Sequence, residues 1–228
     1  MAGFYPAQSA HSAHSIHSLD ESSSSAWRSL RAKVLPLFNG EGLRASIEDV
    51  NEAVQLWLTE SSTSNPTNIR LEIMELVSSG AAILAKKMVV SNDDSLLLPR
   101  LLDLWAFFFA TVVPCVQGAF VPLNERLVPP VSLSSTLPSS SLSIRSMTLI
   151  AFRDQILWPL VNRVETAIPR SFLDIPDKKF PDVSSKCIQM LSVLQSVRSK
   201  QIDEKSVKCQ QLLVLTRENI KVRESMKS

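Results

Sequence analysis

Residues 96–123 read LLLPRLLDLWAFFFATVVPCVQGAFVPL, and the fold turns on how this stretch is housed. From Leu104 to Leu123 it carries no charged residue. Twenty such residues are enough for a transmembrane helix. Pro114, Gln117, Gly118 and Pro122 weaken a span without forbidding one. Arg100 and Arg126 flank it on both sides, so its orientation is poorly specified. The other reading is a central helix covered in water by amphipathic neighbours.

Those neighbours are legible on both sides. Trp27, Leu30, Val34 and Leu37 recur at helical spacing and predict a helix over about Trp27–Phe38, with Pro36 crowding its last turn. Asn39-Gly40-Glu41-Gly42 stops it, because Asn and Gly tolerate positive φ. Leu43, Ile47, Val50, Val54 and Trp57 step by four, three, four and three, which stacks them on one face of a helix over Leu43–Glu60. Arg44, Glu48, Glu52 and Gln55 take the opposite face. A third helix is expected over Ile69–Val89, with Ile69, Ile73, Leu76, Val77 and Leu84 inward and Gly80 as a weak point.

Asn92-Asp93-Asp94-Ser95 offers N-caps for the central helix. Pro99 falls in its first turn, and Pro114 is expected to kink it or break it in two. Ser143 can cap a fifth helix reaching Ile168, with Met147, Ile150, Ala151 and Leu157 inside and Pro159 bending it. Pro169, Pro176 and Pro181 bracket a loop. A sixth helix follows over Val183–Ser199, burying Ile188, Leu191, Leu194 and Val193 or Val197. The last runs over Asp203–Ser225. No stretch shows sustained strand alternation between hairpin turns. The expectation is an all-α, compact bundle of about six to seven helices over residues 26–226. It has a disordered Ser/His-rich tail at 1–25 and a flexible Pro/Ser linker at 127–143.

Composition narrows the function. A formal net charge of +2 gives no basic excess of the kind nucleic-acid binders carry. Cys115, Cys187 and Cys209 are odd in number and form no CxxC, which predicts buried structural thiols in a reducing compartment. The first 25 residues have no apolar h-region, so no secretory signal is expected. No GxGxxG or GxxxxGK[ST] occurs. His11, His14 and His17 all lie in the tail, which leaves residues 26–226 without a histidine. That removes Ser-His-Asp, Cys-His and HExxH chemistry together. The tail's HxxHxxH spacing lacks the supporting shell of a metal site.

Asp103 and Asp154 interrupt apolar runs and form a candidate acid–base pair. Arg100 and Arg153 stand beside them, which favours structural ion pairing. The segment from Arg198 to Lys227 holds eight basic and four acidic residues. It reads as a solvated face or as a basic helix for anionic lipid or an acidic partner. No catalytic, cofactor-binding or metal residue is expected.

Three blocks then resemble one family. LFNGEGLRASIEDVNEAV (Leu37–Val54) is similar to a glycine turn followed by a Leu-x-x-x-x-Glu-x-x-Asn helix, matched at Gly40, Gly42, Leu43, Glu48 and Asn51. LWAFFFATVVPCVQGAFVPL (Leu104–Leu123) resembles a segment with a Trp, a Phe triplet, then Pro, Gln and Phe-x-Pro. IRSMTLIAFRDQI (Ile144–Ile156) and IQMLSVLQS (Ile188–Ser196) complete the set. In this order they resemble the HbrB-like family, which includes the Protor (proline-rich protein five) subunits of target-of-rapamycin complex two.

The resemblance implies a non-catalytic adaptor that binds the large Rictor-type helical-repeat scaffold and, through it, the TOR kinase complex. It also implies a role in growth and actin signalling. The implied location is cytoplasmic, with recruitment to the plasma membrane through the complex. The alternative is a single-span membrane protein with its span at 104–123. In a soluble subunit, Trp105, Phe107, Phe108 and Phe109 become core or interface residues.

Overall fold

The computed structural model describes residues 24–60, 66–88, 94–123, 143–197 and 204–226. The tail expected to be disordered, apart from its last two residues, and residues 127–142 of the expected linker lie outside them. All regular structure among the described residues is helical. The helices are α1 (Ser25–Val34), α2 (Pro36–Asn39), α3 (Ile47–Glu60), α4 (Pro66–Ala85), α5 (Leu97–Phe107), α6 (Val113–Ala119), α7 (Ile144–Phe152), α8 (Trp158–Asp174), α9 (Phe180–Ser196) and α10 (Glu204–Ser225). They form the expected all-α bundle.

Two long rods make its centre. A π turn at Phe108–Val112 joins α5 to α6, and another at Arg153–Leu157 joins α7 to α8. Pro114 and Pro159 explain both. A proline inside an α-helix has no N–H to donate, and its ring collides with the carbonyl four residues back. Here the residue before each proline reaches back five positions instead: Val113 N–H bonds the Phe108 carbonyl and Trp158 N–H bonds the Arg153 carbonyl. The wider turn gives the ring room. The helix therefore runs through Pro114 and is not broken in two.

The rods lie antiparallel, with α6 beside α7 and α5 beside α8. At the α6–α7 end they are covered by α3 and α4, with α1 and α2 outside. At the α5–α8 end they are covered by α9 and α10. Trp105, Phe108, Val112, Val113, Val116, Ala119, Phe120 and Leu123 are fully buried. Trp105 meets Phe109 and Phe152 at ring-centre distances of 4.9 and 5.2 Å, and Phe108 meets Phe152 at 4.6 Å. Rings of opposite rods thus interlock where the two π turns begin.

Several boundaries differ from the sequence expectation. The first helix splits at Leu35 into α1 and α2, because Pro36 starts a new turn as its N1 residue. Gly40 then closes α2 at φ +87°, as expected of the glycine turn. Helix α3 starts at Ile47, not Leu43: the Ser46 hydroxyl accepts the Asp49 N–H at 3.1 Å and sets its N-terminus. Helix α4 begins at Pro66 and ends at Ala85 in a 3₁₀ turn over Lys86–Met88. The central helix takes Leu96 as N-cap with no side-chain bond, after a 3₁₀ turn at Asp94–Leu96.

Helix α8 passes through Pro169 to Asp174, beyond the expected end at Ile168. Burial of Ser171 and Phe172 and an arginine described below outweigh the missing bond. Pro181 is inside the first turn of α9, where it costs least, so α9 starts at Phe180 and ends at Ser196. In α9, Ile188 and Val193 are only half-buried, while Val197 is buried. Ser143 caps α7 as its spacing predicts, accepting the Ser146 N–H at 3.2 Å.

Gly80 is no weak point. A Cβ there would stand 2.5 Å from the buried Phe38 ring, so the missing side chain is what lets α2 lie on α4.

Candidate interaction surface

The two carboxylates that interrupt apolar runs go to different places. Asp154 sits in the second π turn, held by Arg153 Nε at 2.9 Å and Lys205 Nζ at 2.9 Å. Arg153 is 2% exposed and also donates to the Ser206 hydroxyl at 2.8 Å. The expected Arg153–Asp154 pair therefore exists and is extended to α10. Asp103 is exposed on α5, and Lys186 of α9 is ion-paired with Asp182 of its own helix at 2.7 Å. Among the described residues every buried side-chain nitrogen or oxygen has a hydrogen-bond partner. A cleft of about 330 Å³ opens between the start of α5 and the second half of α8, and neither carboxylate lines it.

Cys187 and Cys209 are buried, but Cys115 is only half-buried, against the expectation of three sealed thiols. Burial pushes the Cys187 thiol up to about 11, ahead of the opposing contact with the Thr216 hydroxyl. Such a thiol is a packing group at neutral pH.

Polar side chains also splice the helices. Asn51 of α3 donates to the carbonyls of Gly118 and Ala119, both at 2.8 Å, and so satisfies the C-terminal carbonyls of α6. Trp57 Nε1–H donates to Glu72 at 3.1 Å, and Trp105 Nε1–H to Gln189 at 3.3 Å.

Arg223 of α10 is 8% exposed, and its guanidinium donates to the carbonyls of Phe172 and Ile175. It pairs with Asp177 at 2.7 Å and lies 4.2 Å from the Phe180 ring centre. A cation on the last carbonyls of α8 meets the negative end of that helix. Sequence reading saw Arg223 only as one of many cations. No local spacing marks a side chain that acts 51 residues away.

This changes the reading of the basic C-terminal segment. Lys205 is paired with Asp154, Lys208 with Glu165 at 2.8 Å, and Arg223 is inside. On the outer face of α10, Arg217 and Lys221 alternate with Glu218 and Glu224. Three of the five cations of α10 serve the bundle, and the other two, Arg217 and Lys221, form no basic stripe.

The outside is marked instead by scattered apolar residues. Leu56 on α3 and Leu71 on α4 are each 62% exposed, and Leu173 on α8 is 60% exposed. Val207, Val214 and Val222 are exposed on α10, the first two on one face two turns apart. Around Leu56, α3 exposes Glu48, Asp49, Glu52 and Glu60.

The rod Leu97–Ala119 is long and apolar enough to cross a membrane by length and composition. Its inner side is packed against α3, α7, α8 and α9, while Ala110, Thr111 and Pro114 face outward.

Comparison with known proteins places this architecture. The "Target of rapamycin complex 2 subunit bit61" of Schizosaccharomyces pombe is 26% identical over 196 residues, 82% of this chain and 46% of that protein. "Proline-rich protein 5-like" of Mus musculus is 28% identical over 177 residues, covering 77% of this chain and 40% of the relative. "Proline-rich protein 5" of Xenopus laevis is 27% identical over 194 residues, covering 84% and 42%. The chain spans less than half the length of each of these relatives. No solved structure matches. The pattern of one family, described as HbrB-like, matches residues 21–165, which takes in everything from α1 into α8. The chain belongs to the HbrB-like family.

Proposed function

We propose that this chain is a non-catalytic accessory subunit of target-of-rapamycin complex 2. In this reading it docks on the Rictor-type helical-repeat scaffold and, through it, joins the TOR kinase complex in signalling to growth and actin. Residues 26–226 act as one helical unit, held in the cytoplasm and brought to the plasma membrane by the complex. The observation that carries the reading is the likeness to a fission-yeast protein named as a subunit of that complex, over 82% of this chain.

The geometry supports a binding role. The two carboxylates best suited to acid–base work are split between an ion-paired turn and an open helix face. A rigid bundle with isolated exposed leucines and charged rims is the form of surface on which a few anchors hold a partner. The alternative span at 104–123 would have to strip α3, α7 and α9 from the rod. It would also take the Gly118 and Ala119 carbonyls and the Trp105 indole N–H away from Asn51 and Gln189, the side chains that bond them.

Native affinity purification of the tagged chain with mass spectrometry tests the proposal. Co-recovery of the TOR kinase and the scaffold is the expected result. Clean recovery of the chain without either overturns it. In carbonate extraction the chain should leave the membrane pellet, whereas a spanning protein would stay.

A further inference from the structure

We propose that the uncovered side of the central rod, from Asp103 to Pro114, docks an amphipathic helix that carries acidic residues beside an apolar strip. The inference rests on the assembly reading above and assigns that helix to the scaffold.

The rod holds no charged residue from Leu104 to Leu123. Yet only 39% of its most apolar stretch is buried within the bundle. Leu104, Ala106 and Phe107 are half-buried, and Ala110, Thr111 and Pro114 are exposed. They lie on the side of the rod turned away from buried Trp105 and Val112. This side is about three turns long. Helix α3 closes its far end, where a Cβ on Gly118 would stand 3.4 Å from the Ile47 side chain.

The cations beside it lack acids. Four cations lie over aromatic rings among the described residues. Two are matched within the bundle: Lys205 over Trp158 pairs with Asp154, and Arg223 over Phe180 pairs with Asp177. The other two lie over rings of the central rod, Lys87 over Phe107 at 5.9 Å and Arg145 over Phe109 at 5.1 Å. Their hydrogen-bond acceptors are neutral: the Asn39 carbonyl at 2.9 Å for Lys87, and Gln117 at 3.4 Å for Arg145. Glu41, two residues from Asn39, is taken by Asn39 and Arg44. Among the described residues no carboxylate pairs with Lys87 or Arg145.

Phe107 and Phe109 are two residues apart and point to different flanks of the rod, so a cation stands on each flank. At the start of the side, Arg100 and Asp103 are opposite charges one turn apart. The excess charge along it is therefore positive. An apolar strip with a cation on each flank is complemented by apolar residues with a carboxylate on each border.

A lipid surface fits less well. Helices that lie in a membrane interface insert Trp, Phe or Leu side chains. The exposed members here are Ala110, Thr111 and Pro114, on which a partner helix can pack its own apolar side chains.

The test uses the tagged full chain and quantifies the scaffold and TOR kinase recovered with it. Ala110→Glu should cut recovery about tenfold or more, because it sets a charge in the middle of the apolar contact. Lys87→Glu and Arg145→Glu should each cut it about threefold, and Arg145→Lys should keep most of it. Lys221→Glu, the same charge change on the outer face of α10, should leave recovery unchanged. Thermal melting of each variant should match the parent, and Thr111→Glu replaces Ala110→Glu should that variant melt lower.

Absence of both proteins from the unaltered chain sinks the assembly reading and this inference with it. Normal recovery by the unaltered chain, together with undiminished recovery by the Ala110 and Arg145 variants, overturns this inference alone. So does an Ala110→Glu chain that keeps the scaffold but loses binding to phosphatidylserine vesicles or to a second copy of itself.

Discussion

The two ends of the bundle are fastened by different physics. At the α6–α7 end the covering helices α1–α4 meet the rods through shape: Trp27 stacks near Trp57 at 4.7 Å, and Phe38 lies on Gly80. At the α5–α8 end α10 buries Cys209, Leu212 and Leu213 and adds ionic ties. Lys205–Asp154, Lys208–Glu165 and the Arg223 clamp tie it down, and buried Ser171, Ser184, Thr216 and Arg223 cluster in that half. Apolar contact rewards area in any direction, whereas a buried charge demands particular partners. The first end should therefore tolerate volume-conserving change and the second should not.

The contact shared by both ends gives the largest expected effect. Phe108→Ala empties the interlock between the two π turns and should cost about 3–5 kcal/mol. Chemical denaturation would read this as one cooperative loss, and separate transitions for the two ends would break the picture. Arg223→Ala comes next, at about 2–3 kcal/mol, from lost hydrogen bonds to a charged donor and exposed α8 carbonyls. Hydrogen exchange should rise in α10 and the end of α8 and stay unchanged in α3.

Gly80→Ala probes the other end. The added methyl must displace the Phe38 ring, and overpacking of this kind costs about 1–3 kcal/mol. Here exchange should rise in α2 and α4 while α10 keeps its protection.

The smallest effect concerns Glu72. Burial raises its carboxyl above the ordinary 4.5, ahead of the opposing hydrogen bond from Trp57. The folded chain thus holds this proton more tightly than the unfolded chain. The associated stability is present below the ordinary value and is lost as pH rises through the raised one. Glu72→Gln keeps an acceptor for Trp57 and should remove that part of the pH dependence. At pH 7 its melting temperature should equal or slightly exceed the parent's. Glu72→Ala leaves the indole N–H unpaired and should melt lower.

Much of this was legible in order and period. The 43, 47, 50, 54, 57 spacing found the buried side of α3, and the Ser143 cap and the glycine turn fell where local chemistry puts them. Local rules failed where a distant group compensated. Pro169 ends a helix by rule, yet α8 continues because Arg223 supplies donors to its last carbonyls. Asp154 gains Lys205 of α10 as a second cation beside Arg153, a partner 51 residues on that no local spacing marks. The cleft was invisible because Pro99 and Arg170 meet only after α5 and α8 pack.

The sequence by itself determined that the chain is helical, which faces of its helices are apolar, and that its helical region carries no histidine for catalysis. These are properties of spacing and composition, and they survive any arrangement of the helices. The tertiary structure decided which charges are spent inside and which remain on the surface. An ion pair or an arginine clamp depends on distance in space, and helices far apart in sequence come within reach only when the rods are side by side.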